Sequence, residues 1–104
     1  MKIVVRKPTE EEKRKMKANP TWGCGVSEFD WHYSDEEHAL IIEGEVIVEY
    51  VVGDNDYLAQ SLSPTGVGDN DNVLIKKGDY VVFPRGLSCR WKVTKAVEKY
   101  YEFR

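Results

Sequence analysis

The sequence predicts an all-β fold, a small antiparallel barrel or jelly roll with one short N-terminal helix. Three observations carry that expectation. Short runs rich in β-branched and aromatic residues recur between polar turn segments, roughly eight to ten of them along the chain. Several of these runs alternate at period two: Phe29, Trp31 and Tyr33 fall on one face against Asp30 and His32, and Val46, Val48 and Tyr50 oppose Glu45, Ile47, Glu49 and Val51. The stretch GDYVVFPRGLSCRW, Gly78 to Trp91, reads as two strands joined by a corner. In it Tyr80 to Phe83 form a strand, Pro84 cannot donate to a sheet ladder, Gly86 permits a sharp bend, and Leu87 to Val93 form the next strand.

The elements follow in order. Ile3, Val4 and Val5 make a short edge strand. Thr9 is suited to cap a helix with Glu12 as its reciprocal capping-box partner, and Glu10, Glu11 and Glu12 suit the positive helix end. Lys13, Arg14, Lys15 and Lys17 follow, with only Met16 and Ala18 offering apolar contact, so the helix is one to two turns long and its charge run a solvated face. Asn19-Pro20 ends it. Trp22 to Phe29 is an irregular strand or bend around Cys24, and Phe29 to Tyr33 a half-buried strand. After a polar turn at Ser34 to Glu36, Glu37 to Ile42 forms a strand, Glu43-Gly44 a turn, and Glu45 to Val52 another strand.

Gly53 to Asn72 breaks the pattern as a long hairpin-loop excursion, bracketed by VGDND at Val52–Asp56 and again at Val67–Asp71. These acidic clusters lack the downstream glutamate and spacing of an EF-hand loop and read as solvated turns. Val73 to Ile75 resumes the sheet, Gly78 supplies the positive φ of a turn, and Lys95 to Phe103 closes the fold with Val97, Lys99, Tyr101 and Phe103 on one face.

At 104 residues and 41% hydrophobic content the chain can bury one core, and a single domain is expected. A net charge of −3 from 15 basic and 18 acidic residues gives no electrostatic reason for a nucleic acid or an anionic membrane as partner. No apolar run reaches membrane-span length and no signal-peptide core is present; Cys24 and Cys89 form no CxxC pair. A reduced, cytoplasmic protein is the expectation. Edge strands leave it open to pairing as a homodimer.

Ile42-Glu43-Gly44-Glu45-Val46 followed by Gly78-x5-Pro84-x-Gly86 resembles the paired signature of the cupin superfamily. There the first motif has the form G-x5-H-x-H-x3/4-E-x6-G and the second G-x5-P-x-G-x2-H-x3-N. By that resemblance Glu37 matches the metal-binding glutamate, whereas Trp31, Tyr33 and Cys89 stand where the histidines belong and Val93 replaces the asparagine. Trp22, Ser27, Phe29, Trp31, Tyr33 and the Gly78–Trp91 stretch look more specifically like the small single-domain cupins related to the ureidoglycine aminohydrolase cupin domain. The resemblance implies an RmlC-like barrel whose activity is unassigned.

The inherited three-histidine metal site is therefore absent, since indole cannot ligate and a phenol ligates well only when ionised. No cofactor is expected; if a divalent transition metal binds, Glu37 and Cys89 are its ligands. Strand alternation points His32 away from the pocket and His38, next to Glu37, outward, so both read as surface histidines unless a bulge near Ser34–Glu36 turns one in. Cys89 reads as a buried structural thiol, with a nucleophile as the alternative. Glu37 among aromatics is a candidate general acid or base, and Trp31, Tyr33, Phe83 and Trp91 are expected to line a pocket for a small-molecule ligand. The reading is a small-molecule-binding barrel. A metal-dependent aminohydrolase or isomerase, and a scaffold extended at Gly53–Asn72, are the alternatives.

Overall fold

The computed structural model describes residues 2–50 and 72–104. In chain order it has β1 (Val4–Arg6), α1 (Glu10–Met16), β2 (Thr21–Cys24), β3 (Ser27–His32), β4 (Glu37–Tyr50), β5 (Asn72–Lys76), β6 (Tyr80–Phe83) and β7 (Ser88–Phe103). The expected excursion from Gly53 to Asn72, with its two VGDND segments, lies outside the described residues except for Asn72, which opens β5.

All pairings are antiparallel. The strands run β1-β6-β4-β7-β2, β3 also pairs with β7, and β5 with β4. The organising strand is β7: one edge bonds to β4 along nearly its whole length, the other to β3 and then to β2. This jelly-roll sheet has seven strands among the described residues, fewer than the repeated runs suggest, for a local reason at two places. The expected turn at Glu43-Gly44 is a bulge inside one 14-residue strand, with register shifts between Ile41 and Val46 and Gly44 at φ 90°. The expected break between Leu87–Val93 and Lys95–Phe103 does not occur, because no Gly or Pro interrupts Ser88 to Phe103; Thr94 instead bonds across to the Glu45 carbonyl at 3.2 Å and its carboxylate at 2.9 Å.

The turns follow residue chemistry. Gly78 takes φ 92° and its N–H donates to the Ile41 carbonyl at 2.9 Å. In the Pro84-x-Gly86 corner, Gly86 N–H donates to the Tyr33 carbonyl at 2.7 Å and Tyr33 N–H to the Leu87 carbonyl at 2.8 Å. Tyr33, just past β3, is thus clamped by the corner that follows β6.

Alternation sorts β4 onto two faces. Ala39, Ile41, Val46 and Val48 enter the main core with Ile75, Val81, Phe83 and Trp91. Leu40 turns the other way and joins Tyr80 and Met16 in a small second cluster under α1. The helix is held by both arms of its capping box, Glu12 N–H to Thr9 Oγ1 at 3.1 Å and Thr9 N–H to Glu12 Oε1 at 2.9 Å. Burying Met16 contributes about 1.5–3 kcal/mol to its docking. Four of the remaining helix positions are exposed and paired with one another, Lys13 with Glu10 and Lys15 with Glu11, while Glu12 pairs with Arg6 of β1, which is the charged surface the sequence implies. Among the described residues no helix is long and apolar enough to cross a membrane.

Candidate functional site

The inward face of β7 carries Cys89, Trp91, Val93, Val97, Lys99, Tyr101 and Phe103, every one on the same side by alternation. Register then decides what each meets. Trp22 of β2 lies opposite Lys99 on one edge, and Ile41 of β4 opposite it on the other. Phe29 of β3 lies opposite Trp91, and Trp31 opposite Cys89. Glu37 enters from the start of β4, between Phe83 and Phe103. A lysine and a glutamate are thereby committed to an otherwise apolar face.

The result is a cavity of about 180 Å³ at the sheet mouth. Its walls are aromatic: Trp22, Phe29, Trp31, Tyr33 and Trp91, with Tyr101 and Phe103 at the far end, and Glu37 and Lys99 are its charged groups. The rings pack edge to face in a row, with centroids 6.3 Å apart for Trp22–Phe29, 6.5 Å for Phe29–Trp31 and 6.4 Å for Trp31–Tyr33. Trp31 forms the rim at 47% exposed. Phe83, expected on the wall, and Cys89, the candidate nucleophile, are not among its lining residues: Phe83 stacks flat against Tyr33 at 4.7 Å, and Phe83 and Cys89 are fully buried.

Lys99 and Glu37 are 5% and 3% exposed, and the Lys99 Nζ donates a hydrogen bond to Glu37 Oε2. Around the ammonium stand the rings of Trp91 at 4.9 Å, Trp22 at 5.2 Å, Phe83 at 5.5 Å and Tyr101 at 6.0 Å. Burial pushes the Glu37 carboxyl up and the Lys99 amine down, while each charge pulls the other back toward ionisation. Two further polar atoms beside the cavity, the Tyr33 hydroxyl and Trp91 Nε1, are buried with no hydrogen-bond partner among the described residues. Sequence reasoning missed Lys99. The signal was present, a lysine in register with Val97, Tyr101 and Phe103, but alternation alone does not tell which face of a closing strand is covered.

A family model described as the EutQ-like cupin domain matches residues 11–101. The chain belongs to the EutQ-like cupin family. Among solved structures, a DUF861-family protein from Thermotoga maritima is 35% identical over 99% of this chain and 100% of that one, with a TM-score of 0.77. A DUF861-family protein of unknown function from Pseudomonas syringae pv. tomato is 21% identical over 78% of this chain and 28% of that one, at a TM-score of 0.55. A putative ethanolamine utilization protein Q from Salmonella typhimurium is 16% identical over 95% and 66% of the two chains, at 0.53. The last two likenesses show the fold alone. No curated protein matches the chain. This EutQ-like cupin is therefore a β-rich cupin of the kind whose reaction is unassigned.

Cupins often bind metals. The residues at this cupin's expected metal positions do not fit one. Trp31 offers no donor, and burial pushes the Tyr33 phenol up, away from the phenolate a metal needs. Glu37 is already engaged by the Lys99 amine, which occupies the place beside the carboxylate that a cation would need. Among the described residues no group of three or more His, Cys, Asp or Glu is placed to hold a metal ion. The two histidines stand elsewhere: His32 Nδ1 bonds to Ser88 Oγ at 2.8 Å on the exposed face, and His38 bridges Tyr80 at 2.8 Å and Glu36 at 2.7 Å beside the second cluster.

Burial pushes the Cys89 thiol up to about 11, so at neutral pH it is not a thiolate and has no path to solvent. Alkylation by iodoacetamide at pH 7.5 is expected to spare Cys89 in the native protein and to modify it only after unfolding in urea; peptide mapping reads the outcome. Rapid native modification of Cys89 would revive the nucleophile reading.

Proposed function

We propose that this EutQ-like cupin binds a small molecule with one flat ring and an oxygen acceptor in the aromatic mouth of its sheet. The observation that carries the reading is the buried Glu37–Lys99 pair at the base of a cavity walled by aromatic rings. A void of about 150 Å³ is enough for a benzene ring, so about 180 Å³ suits a ring with one small substituent. The polar groups at hand are mostly donors: the Lys99 ammonium, the Trp91 indole N–H and the Tyr33 hydroxyl, with Glu37 orienting the first. Such a set matches a carboxylate or carbonyl oxygen.

All three tryptophans of the chain, Trp22, Trp31 and Trp91, line this cavity, so intrinsic fluorescence reports its occupancy. Titration with benzoate is expected to give a saturable change in emission. Trp31→Ala removes a rim ring without disturbing the buried pair and should weaken binding about tenfold, or about 1.4 kcal/mol. An emission spectrum indifferent to benzoate and to other single-ring acids and carbonyls would sink the reading.

A second reading is an enzyme acting on a small nitrogenous metabolite, as the resemblance to the ureidoglycine aminohydrolase-type branch implies. The same pair favours it, because a carboxyl raised by burial beside an amine lowered by burial can trade a proton without a change in net charge. Turnover of such a substrate that disappears in Glu37→Gln would support it, and ligand binding with no turnover would leave the binding role alone.

A further inference from the structure

We propose that Lys99 is an imine-forming amine, whose Nζ condenses with a small aromatic aldehyde or ketone held in the sheet mouth while Glu37 carries the protons. The inference rests on the binding reading above and assigns that site a chemistry. Three geometric facts support it. Among the described residues the amine hydrogen-bonds to one acceptor, Glu37, rather than to the several that would lock a purely structural ammonium in place. Both members of the pair also line a cavity, so a bound molecule can reach them. Finally, four aromatic rings stand within 6.0 Å of the amine, apolar surroundings of the kind in which loss of water from a carbinolamine is favoured.

The step balances without any oxidant or reductant. The Lys99 ammonium gives one proton to the Glu37 carboxylate, and the free Nζ lone pair attacks the carbonyl carbon, forming a C–N bond as the carbonyl π pair moves to oxygen. That oxygen takes a proton by way of Glu37 while nitrogen loses one, giving a neutral carbinolamine. A second proton from the Glu37 carboxyl lets the C–O bond break with loss of water, and the nitrogen lone pair closes the C=N bond of the iminium. The unpartnered Tyr33 hydroxyl and Trp91 N–H belong to residues lining the same cavity and are the available donors for the oxygen while it carries charge. Burial acts in the same direction by lowering the pKa of the amine, against the pull of Glu37 and, more weakly, of Cys24 and Cys89.

The test uses the full chain with benzaldehyde and sodium cyanoborohydride at pH 6.5, followed by intact mass and peptide mapping. The expected result is a single benzyl adduct on Lys99, with labelling well above that of the exposed Lys13 and Lys15 because the cavity holds the aldehyde against this one amine. Benzoate should suppress it. Lys99→Arg, which keeps a cation beside Glu37, should fold and lose the adduct, with a weakened benzoate response because the donor to the ligand oxygen has changed. Labelling confined to surface lysines while benzoate still alters the tryptophan emission would overturn the imine and leave the pocket reading standing. Failure of both signals would overturn both.

Discussion

Removing either partner of the buried ion pair alone is expected to destabilise the protein by about 3–5 kcal/mol, and removing both together by far less. Glu37→Gln leaves an ammonium without a counter-charge among four rings, and Lys99→Met leaves a carboxyl in the same surroundings. The double change Glu37→Leu with Lys99→Met puts apolar groups of similar size into an apolar wall, and urea unfolding should place it near or above the parent. The sign of the pH dependence separates the two single variants. Burial raises Glu37 above its ordinary 4.5, so its contribution to stability is full below pH 4.5 and is lost as pH rises through the folded value. Burial lowers Lys99 below 10.5, so its contribution is full above pH 10.5 and is lost as pH falls through its own folded value. The two penalties overlap between those limits, which is where the pairing matters most. Lys99→Met should therefore regain stability on acidification toward pH 4.5, and Glu37→Gln on moving toward alkaline pH. Single and double variants that all unfold at the parent's midpoint would show that the pair is solvated in solution and that the site is not built as described.

The second large effect is expected at the bulge of β4. Gly44 has φ 90°, and a Cβ there would collide with the Ala96 carbonyl oxygen and lie 2.6 Å from Val97 Cα, both backbone atoms of β7. Neither neighbour can swing aside as a flexible side chain would. Gly44→Ala should cost about 3 kcal/mol or more from the backbone conformation and the overlap together. For a domain of this size that lowers Tm by about 12 °C or more. Gly25→Ala is the control: no atom lies within 4 Å of its added Cβ, and the change should stay within about 0.5 kcal/mol. A Gly44→Ala protein with an unchanged Tm would mean that the two halves of β4 can part from β7 at this point.

Much of the molecule was legible in the residues. Thr9 and Glu12 announce a capping box, Gly78 and Gly86 the turns, and Pro84 the end of β6, because each acts through its own backbone chemistry or that of near neighbours. The alternation of Phe29, Trp31 and Tyr33 likewise implied one aromatic row, and the row is there. The paired glycine and proline motif pointed to a cupin barrel, and the family match agrees.

What local pattern does not contain is register. Whether Glu43-Gly44 is a turn or a bulge depends on whether β7 continues alongside it, and the partner of Glu43 there is Glu98, far away in sequence. The same holds for the site. Lys99 is a routine surface lysine until β2 places Trp22 on one side of it and β4 places Ile41 on the other. Phe83 and Cys89 fall outside the cavity lining, and Tyr33, clamped by Gly86 and Leu87, stacks on Phe83. Sequence alone determined the helix cap, the turns at Gly78 and Gly86 and the alternation within each strand. The tertiary structure alone decided which alternating face is covered, and so brought a lysine to the glutamate that the cupin resemblance aligns with a metal ligand.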